Sequence, residues 1–77
     1  MNYPKYIITK QEQVIMFTPM LSHNEVTKDA VSAGFFCFMG NGLVKCFGES
    51  QSLGVKCREG TDALLIEQAL RIGDFRE

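Results

Sequence analysis

Residues 33–49 read AGFFCFMGNGLVKCFGE, which is the clearest structural signal in the chain. Two runs rich in aromatic and other apolar residues flank Gly40-Asn41-Gly42. Asn-Gly between apolar runs is the strongest short-range signal for a β-hairpin, because both residues tolerate the positive φ of a type I′ turn. The stretch therefore predicts an antiparallel hairpin whose two loop residues are Asn41 and Gly42.

A two-residue loop sets the pairing of the two strands and so decides which side chains share a face. It places Cys37 opposite Cys46 and Phe38 opposite Lys45. One face then carries only apolar side chains: Phe35, Cys37, Met39, Val44 and Cys46. The other face carries three rings and one charge: Phe36, Phe38, Phe47 and Lys45. Because a half-exposed strand should alternate apolar and polar residues, we expect another element or a partner to cover each face.

A second hairpin is predicted nearer the N-terminus. Residues 5–9 and 14–17 have the composition of strands, and the polar run Lys10-Gln11-Glu12-Gln13 separates them. With Gln11 and Glu12 as loop residues, both faces of this hairpin are again largely apolar. The two hairpins together predict one antiparallel sheet.

Two helices complete the predicted order ββαββα. Ser22 and Glu25 have the spacing of a capping box, which predicts a short helix over residues 23–31. Thr61 is predicted to cap an amphipathic helix from Asp62 to about residue 72, with Asp62 in its favourable first turn and Gly73 after its end. Its apolar residues, Ile72 among them, occupy about half of its circumference, so we expect this side to cover one sheet face, with Leu64 left on the polar side. Alternating apolar residues at 53, 55 and 57 also favour a short strand in the connector.

Composition and charge narrow the class of protein. The chain has 77 residues, 45% hydrophobic and 22% charged, with a net charge of −1, which predicts a single α+β domain over residues 1–77 and argues against a generic polyanion binder. No apolar run approaches the roughly 18 residues of a membrane span, and the N-terminus is charged where a secretory signal is apolar. We therefore expect a cytoplasmic protein that does not bind membranes, with three reduced cysteines and no structural disulfide.

The residues capable of chemistry form no recognisable catalytic or metal pattern. The cysteines are nine and eleven positions apart and His23 is the single histidine, whereas structural zinc sites bring ligands in close pairs. We expect no metal, no cofactor and an exposed His23. Cys57, between Lys56 and Arg58 and near a helix start, is the candidate for a lowered pKa and a thiol-dependent activity. A thiol without a positioned base does not make an enzyme, so a non-catalytic protein is the main expectation.

The connector between the second hairpin and the last helix has small and basic residues. Its candidate site for an anion or a peptide terminus consists of Ser50, Ser52, Lys56 and Arg58. The stretch matches neither the P-loop pattern nor the dinucleotide-binding pattern, and a plain polar connector is the competing interpretation.

The sheet offers two apolar faces, and the chain has one long helix to cover them. One face is therefore predicted to be an interaction surface, most simply for a homodimer or another protein. The predicted interaction residues are Phe36, Phe38, Lys45, Phe47 and Leu64. An alternative use of the three rings and Lys45 is to stack the bases of single-stranded nucleic acid, and a second alternative is that the rings are core beneath the long helix.

Residues 48–66 read GESQSLGVKCREGTDALLI, and Ser32-Ala33-Gly34-Phe35 precedes them. This pattern, which covers about half of the chain, resembles small uncharacterised proteins of bacteriophage and prophage genomes. The resemblance implies a phage origin and assigns no chemistry to any residue.

Overall fold

The computed structural model describes residues 2–75, with side chains described through residue 71. It confirms the predicted α+β class, in which two hairpins form one antiparallel sheet with a short helix and a C-terminal helix. The strands are β1 (Lys5–Ile8), β2 (Val14–Phe17), β3 (Ser32–Phe38), β4 (Val44–Phe47), β5 (Glu49–Ser50) and β6 (Val55–Lys56). The helices are α1 (His23–Val26) and α2 (Glu59–Phe75).

The main sheet has the strand order β2-β1-β3-β4, and all of its neighbouring strands are antiparallel. The central pair β1 and β3 joins the two hairpins, and it contains the fully buried residues Ile7, Ile8 and Ala33. Strands β5 and β6 form a separate two-stranded ribbon. The ribbon contains the short strand that the connector sequence predicts.

The Asn41-Gly42 turn forms as predicted, but the hairpin around it contains one more residue. Asn41 and Gly42 have φ of 41° and 81°, and the Leu43 amide donates to the Gly40 carbonyl at 3.1 Å. The Leu43 carbonyl then accepts from Met39 at 2.9 Å, and Gly40 has a φ of 72°. Gly40 is therefore an extra residue on the β3 side, a β-bulge that its positive φ allows.

This extra residue shifts the strand pairing by one position. Phe36 lies opposite Cys46, and Cys37 lies opposite Lys45, so the predicted pairing of Cys37 with Cys46 is wrong. Because side chains alternate along a strand, a one-residue shift regroups the side chains of the two strands. Phe36 and Phe38 share a face with Val44 and Cys46 rather than with Lys45.

The first hairpin differs from its prediction in the same way. The Glu12 amide donates to Thr9 at 2.9 Å, and Glu12 has a φ of 62°. A turn followed by a residue of positive φ is a common three-residue hairpin loop, here residues 10–12. Ile7 accordingly lies opposite Ile15, and the predicted two-residue loop Gln11-Glu12 is wrong.

The two sheet faces have different coverings. The helix-covered face packs against Ile66 of α2 and forms the hydrophobic core. Its buried side chains are Tyr6, Ile8, Phe36, Val44 and Cys46. The opposite side, which we call the second face, carries Lys5, Ile7, Ala33, Phe35, Cys37, Lys45 and Phe47. Helix α1 contacts β1, and its His23 packs on this face.

Helix α1 is a single turn, much shorter than predicted. It ends at Val26 rather than near residue 31, and Ser22 makes no side-chain capping bond, so the predicted capping box is wrong. The Glu25 amide instead donates to the Ser22 carbonyl at 3.0 Å. A helix this short depends on tertiary contacts for its stability, because one turn cannot repay the cost of nucleation.

Helix α2 begins three residues earlier than predicted and continues past Gly73. Its first turn is stabilised by Asp62, whose carboxylate accepts from the Arg58 amide at 2.9 Å. The Asp62 amide in turn donates to the Arg58 carbonyl at 2.8 Å. The helix therefore begins at Glu59, and the predicted cap at Thr61 is wrong because Thr61 lies within the first turn. The Ile72 side chain, which the sequence predicts to face the sheet, lies outside the described residues.

The close approach of β3 to the end of β4 can be tested at Gly34. A Cβ at this position would lie 2.6 Å from the backbone oxygen of Phe47, which cannot move aside as a flexible side chain would. We expect Gly34→Ala to lower the free energy of unfolding, measured by urea denaturation, by about 2 kcal/mol. Gly60→Ala in the first turn of α2 is the control, because nothing lies within 4 Å of its Cβ. A Gly34→Ala variant that is as stable as the wild type would contradict this packing.

Candidate functional site

The structure places the predicted interaction residues on different surfaces. Phe36 and Phe38 lie on the helix-covered face, whereas Lys45 and Phe47 lie on the second face. Phe36 is buried beneath α2, which is the core position that the sequence left open as an alternative. Leu64 is exposed on α2, as its helical position predicts. The five residues therefore do not form one continuous surface.

An exposed apolar surface lies at the tip of the β3–β4 hairpin. We call it the tip patch, and it consists of Phe38, Met39 and Leu43, which are 63%, 58% and 50% exposed. The Phe38 ring meets the buried Phe36 ring edge-on at 6.0 Å between centroids. The tip patch is thus an extension of the hydrophobic core beyond the area that α2 covers.

Helix α2 forms one wall of a groove beside the tip patch. The groove is lined by Phe38 and Leu43 from the hairpin and by Glu67, Leu70 and Arg71 from α2. The carboxylate of Glu67 accepts a hydrogen bond from the Val44 amide at 2.9 Å, which attaches α2 to β4. The groove therefore combines apolar side chains from both walls with the Glu67 carboxylate and the Arg71 guanidinium on the helix side.

A second candidate surface, on the second face, consists of Tyr3, Phe35 and Phe47, which we call the ring cluster. Phe35 and Phe47 lie opposite each other on β3 and β4, with centroids 5.9 Å apart and ring planes at 21°. Tyr3 meets Phe47 edge-on at 5.0 Å. The Lys5 ammonium lies 5.8 Å from the centre of the Phe35 ring. Two open clefts share Lys5 and Phe35.

His23 is buried at the edge of the ring cluster, so the expectation of an exposed His23 is wrong. Its ring packs edge-on between Phe17 at 5.4 Å and Phe35 at 5.9 Å. The Nε2 atom lies 3.0 Å from the Gly34 carbonyl oxygen, and since a carbonyl only accepts, Nε2 carries the proton. Burial lowers the pKa of His23, because the imidazolium would lose hydration.

The lowered pKa of His23 predicts a loss of stability in acid. The folded state favours neutral His23, so this contribution is present above the unfolded value of 6.5 and is lost as the pH falls through the lower folded pKa. We expect wild-type protein to lose more unfolding free energy than His23→Gln between neutral pH and pH about 5, by at most about 1.4 kcal/mol per pH unit. Urea denaturation at several pH values measures this difference. Parallel pH profiles would contradict it.

A polar network lies under the start of α2, where the fully buried residues Tyr6, Ser32 and Asp62 meet the partly exposed Arg58. One carboxylate oxygen accepts from the Tyr6 hydroxyl at 2.5 Å, and the other accepts from Ser32 at 2.9 Å and from Nε of Arg58 at 3.0 Å. Burial raises the pKa of Tyr6, and its hydrogen bond to Asp62 raises that pKa further. Every member of this network has a protein partner, which is the condition for a stable buried charge.

Arg58 connects this network to the first hairpin. Its terminal nitrogens donate to the Glu12 carboxylate at 3.1 and 2.9 Å, and its Nε donates to Asp62 and to Ser32. The hydrogen bonds to Glu12 raise the pKa of Arg58, and the same contact lowers the pKa of Glu12. The guanidinium of the predicted anion loop is thus paired with carboxylates of the same chain.

The other residues of that predicted loop lie on the β5–β6 ribbon. The buried Ser50 hydroxyl accepts from the Leu53 amide at 3.2 Å and lies 3.3 Å from the Ser52 hydroxyl. Lys56 is exposed and lies opposite Glu49. Ser50 thus stabilises the turn of the ribbon, and an anion or peptide site at Ser50, Ser52, Lys56 and Arg58 stays a prediction.

The three cysteines are free thiols. Burial raises the pKa of Cys46 to about 12. The pKa of Cys57 is also raised, first by burial and then by the carboxylates of Glu59 and Asp62. The expectation that basic neighbours lower the pKa of Cys57 is therefore wrong, because the nearby carboxylates oppose the thiolate and Arg58 is directed toward its own acidic partners.

The predicted interaction set omits Tyr3, Lys5 and Phe35, which the structure brings to Phe47. A signal for Phe35 exists in the sequence, since Gly40 precedes the Asn-Gly turn and can adopt the positive φ of a bulge. A bulged register moves Phe35 onto the face of Phe47 and removes Phe36 from it. The position of Tyr3 has no comparable local signal.

Comparison with known proteins gives no relative. No protein-family model matches this chain, and no curated protein or solved structure matches it either. Among residues 2–75, no helix is both long and apolar enough to cross a membrane. The same part of the chain contains no group of three or more His, Cys, Asp or Glu residues that could hold a metal ion. The resemblance to phage proteins stays a prediction.

The buried network can be tested by neutralising its centre. Asp62→Asn keeps the shape but turns an amide group toward donors, so we expect the free energy of unfolding to fall by about 3 kcal/mol. Asp29→Asn is the control, because Asp29 is exposed and accepts only a long 3.3 Å bond from the Lys10 amide. Urea denaturation at neutral pH measures both variants. Equal losses in the two variants would contradict the role of Asp62.

Proposed function

We propose that this protein is a small non-catalytic interaction protein that self-associates through the tip patch. The observation that carries this proposal is the exposure of three neighbouring large apolar side chains, Phe38, Met39 and Leu43, each at least half exposed. Contiguous apolar surface on a small protein usually marks a binding site. Phe38 also extends the core directly, so a partner seated there would continue the same apolar packing.

A second copy of the chain would complement this surface in charge as well as in apolar character. Glu67 and Arg71 both line the groove beside the tip patch. In a twofold dimer the same patch meets itself, so Arg71 of one copy can approach Glu67 of the other. The apolar residues would form the centre of this interface and the two charges its rim.

The small size of the chain supports self-association. A domain of 77 residues buries only somewhat more than about 60% of its unfolded surface, so its own core is marginal. Association of folded copies stabilises the native state by mass action. Burial of the tip patch would add apolar contacts where α2 does not reach.

The polar groups of the chain support a structural rather than a catalytic role. Beneath α2, the hydroxyls of Tyr6 and Ser32 both donate hydrogen bonds to the Asp62 carboxylate. The three free cysteines suit the reducing cytoplasm, which we propose as the site of action. The resemblance of residues 48–66 to phage proteins supports a phage origin within the same proposal.

Sedimentation equilibrium tests the self-association. We expect a monomer–dimer equilibrium at tens of micromolar protein and at least about a tenfold weaker association for Phe38→Glu, because a carboxylate would replace an apolar ring at the centre of the interface. Met20→Glu is the control, since Met20 is 88% exposed and belongs to the segment after β2. A strictly monomeric wild type, or equal weakening by both substitutions, would contradict the proposal.

A further inference from the structure

We propose that a cleft on the second face binds a free α-amino acid with an apolar side chain. The cleft lies between α1 and the β5–β6 ribbon, beside the Phe35 ring. Its volume of about 490 Å³ is within the usual range for small-molecule sites. Phe35 and the tip-patch residue Phe38 lie on opposite sides of the sheet, so this site does not depend on self-association.

The first argument is that the cleft contains two opposite charges that do not pair with each other. Lys5 supplies an ammonium group and Glu49 a carboxylate. Among the described residues, the ion pairs join Arg58 to Glu12 and Asp62, and neither charge of the cleft belongs to one. A simple anion would meet the carboxylate, and a simple cation would meet the ammonium. A ligand that carries both charges complements both groups.

The second argument is the ring nitrogen of His23 that the fold does not use. Nε2 donates to the Gly34 carbonyl at 3.0 Å, so Nδ1 carries a lone pair. No hydrogen bond within residues 2–71 reaches Nδ1, yet no buried polar side-chain atom in that range lacks a partner. Nδ1 is therefore open to solvent, and His23, which is only 4% exposed, is open where it lines the cleft.

The imidazole of His23 is an acceptor at neutral pH. Burial lowers its pKa, and the Lys5 ammonium lowers that pKa as well. The ring is therefore neutral, and Nδ1 can accept a hydrogen bond from an ammonium group of the ligand. A ligand that is only an anion has no donor for this atom.

The Phe35 ring relates these groups to one another in space. The Lys5 ammonium lies 5.8 Å from its centre, and the centre of the His23 ring lies 5.9 Å from it. A hydrogen bond to the Leu21 carbonyl at 2.8 Å holds the ammonium in place and leaves two of its three N–H groups for a ligand. A carboxylate bound to Lys5 brings the α-carbon to this ring. An aliphatic side chain then packs on the ring edge, and the α-ammonium is directed to Nδ1 and Glu49.

NMR titration of the isotope-labelled full chain with L-leucine tests this inference. We expect saturable shifts at the amides of Lys5, Phe35 and Glu49, with a Kd of about 1 mM or tighter, because the cleft is open to solvent. N-acetyl-leucine lacks the ammonium and leucinamide lacks the carboxylate, so each should bind at least about tenfold more weakly. The nitrogen resonance of His23 Nδ1 should shift with leucine, while that of Nε2 stays unchanged.

Matched variants separate the cleft from the rest of the surface. Lys5→Gln and Glu49→Gln each remove one charge from the cleft and should weaken leucine binding at least about fivefold. Lys28→Gln and Glu59→Gln are the controls, because both residues are exposed and lie outside the cleft, and they should bind like wild type. The two leucine analogues decide the question even if a variant is unfolded, since they use the wild-type chain.

Four results would overturn the inference. The first is the absence of saturable shifts up to about 10 mM leucine. The second is an analogue that binds as tightly as leucine, and the third is an equal effect of the cleft variants and their controls. The last is binding of inorganic phosphate as tight as that of leucine, because it would show a site for anions alone.

Discussion

The buried carboxylate of Asp62 determines how the helix sits on the sheet, because it joins three segments that are distant in the chain. Its partners are the Tyr6 hydroxyl from β1, the Ser32 hydroxyl from β3 and the guanidinium of Arg58 just before α2. A charge in that position is tolerated only when all of its donors are present. The network therefore fixes the position of α2 over Tyr6 and Cys46, and the hairpin tip and the second face extend beyond the helix.

The sequence predicts the elements of this fold better than their relative positions. Both hairpins, the Asn41-Gly42 turn and an amphipathic C-terminal helix with Leu64 outward are visible as local patterns. The pairing registers are not, because each depends on one residue, Glu12 or Gly40, taking a positive φ. Gly40 before the Asn-Gly turn permits a bulge but does not require one, so the packing of whole faces decides the register.

The sequence predicts the candidate surfaces less well than it predicts the elements of the fold. The tip patch is partly predictable, since Phe38 is in the predicted set, but its exposure depends on how far α2 extends over the sheet. The ring cluster depends on the bulged register and on the position of Tyr3 before β1. Asp62, which the sequence suggests only as a favourable charge at a helix start, bonds to groups 56 and 30 residues away. Such long-range partners follow from the fold and not from sequence spacing.

The two inserted hairpin residues, Glu12 and Gly40, have a consequence for how this chain can change over time. Loss of either residue would move alternate side chains of a strand from the interior to the solvent, and no single substitution could compensate for that. Hairpin loops usually vary freely in length, but here the loop length decides which side chains face the interior and which face the solvent. Related chains should therefore show substitutions in these two hairpin loops but no insertions or deletions.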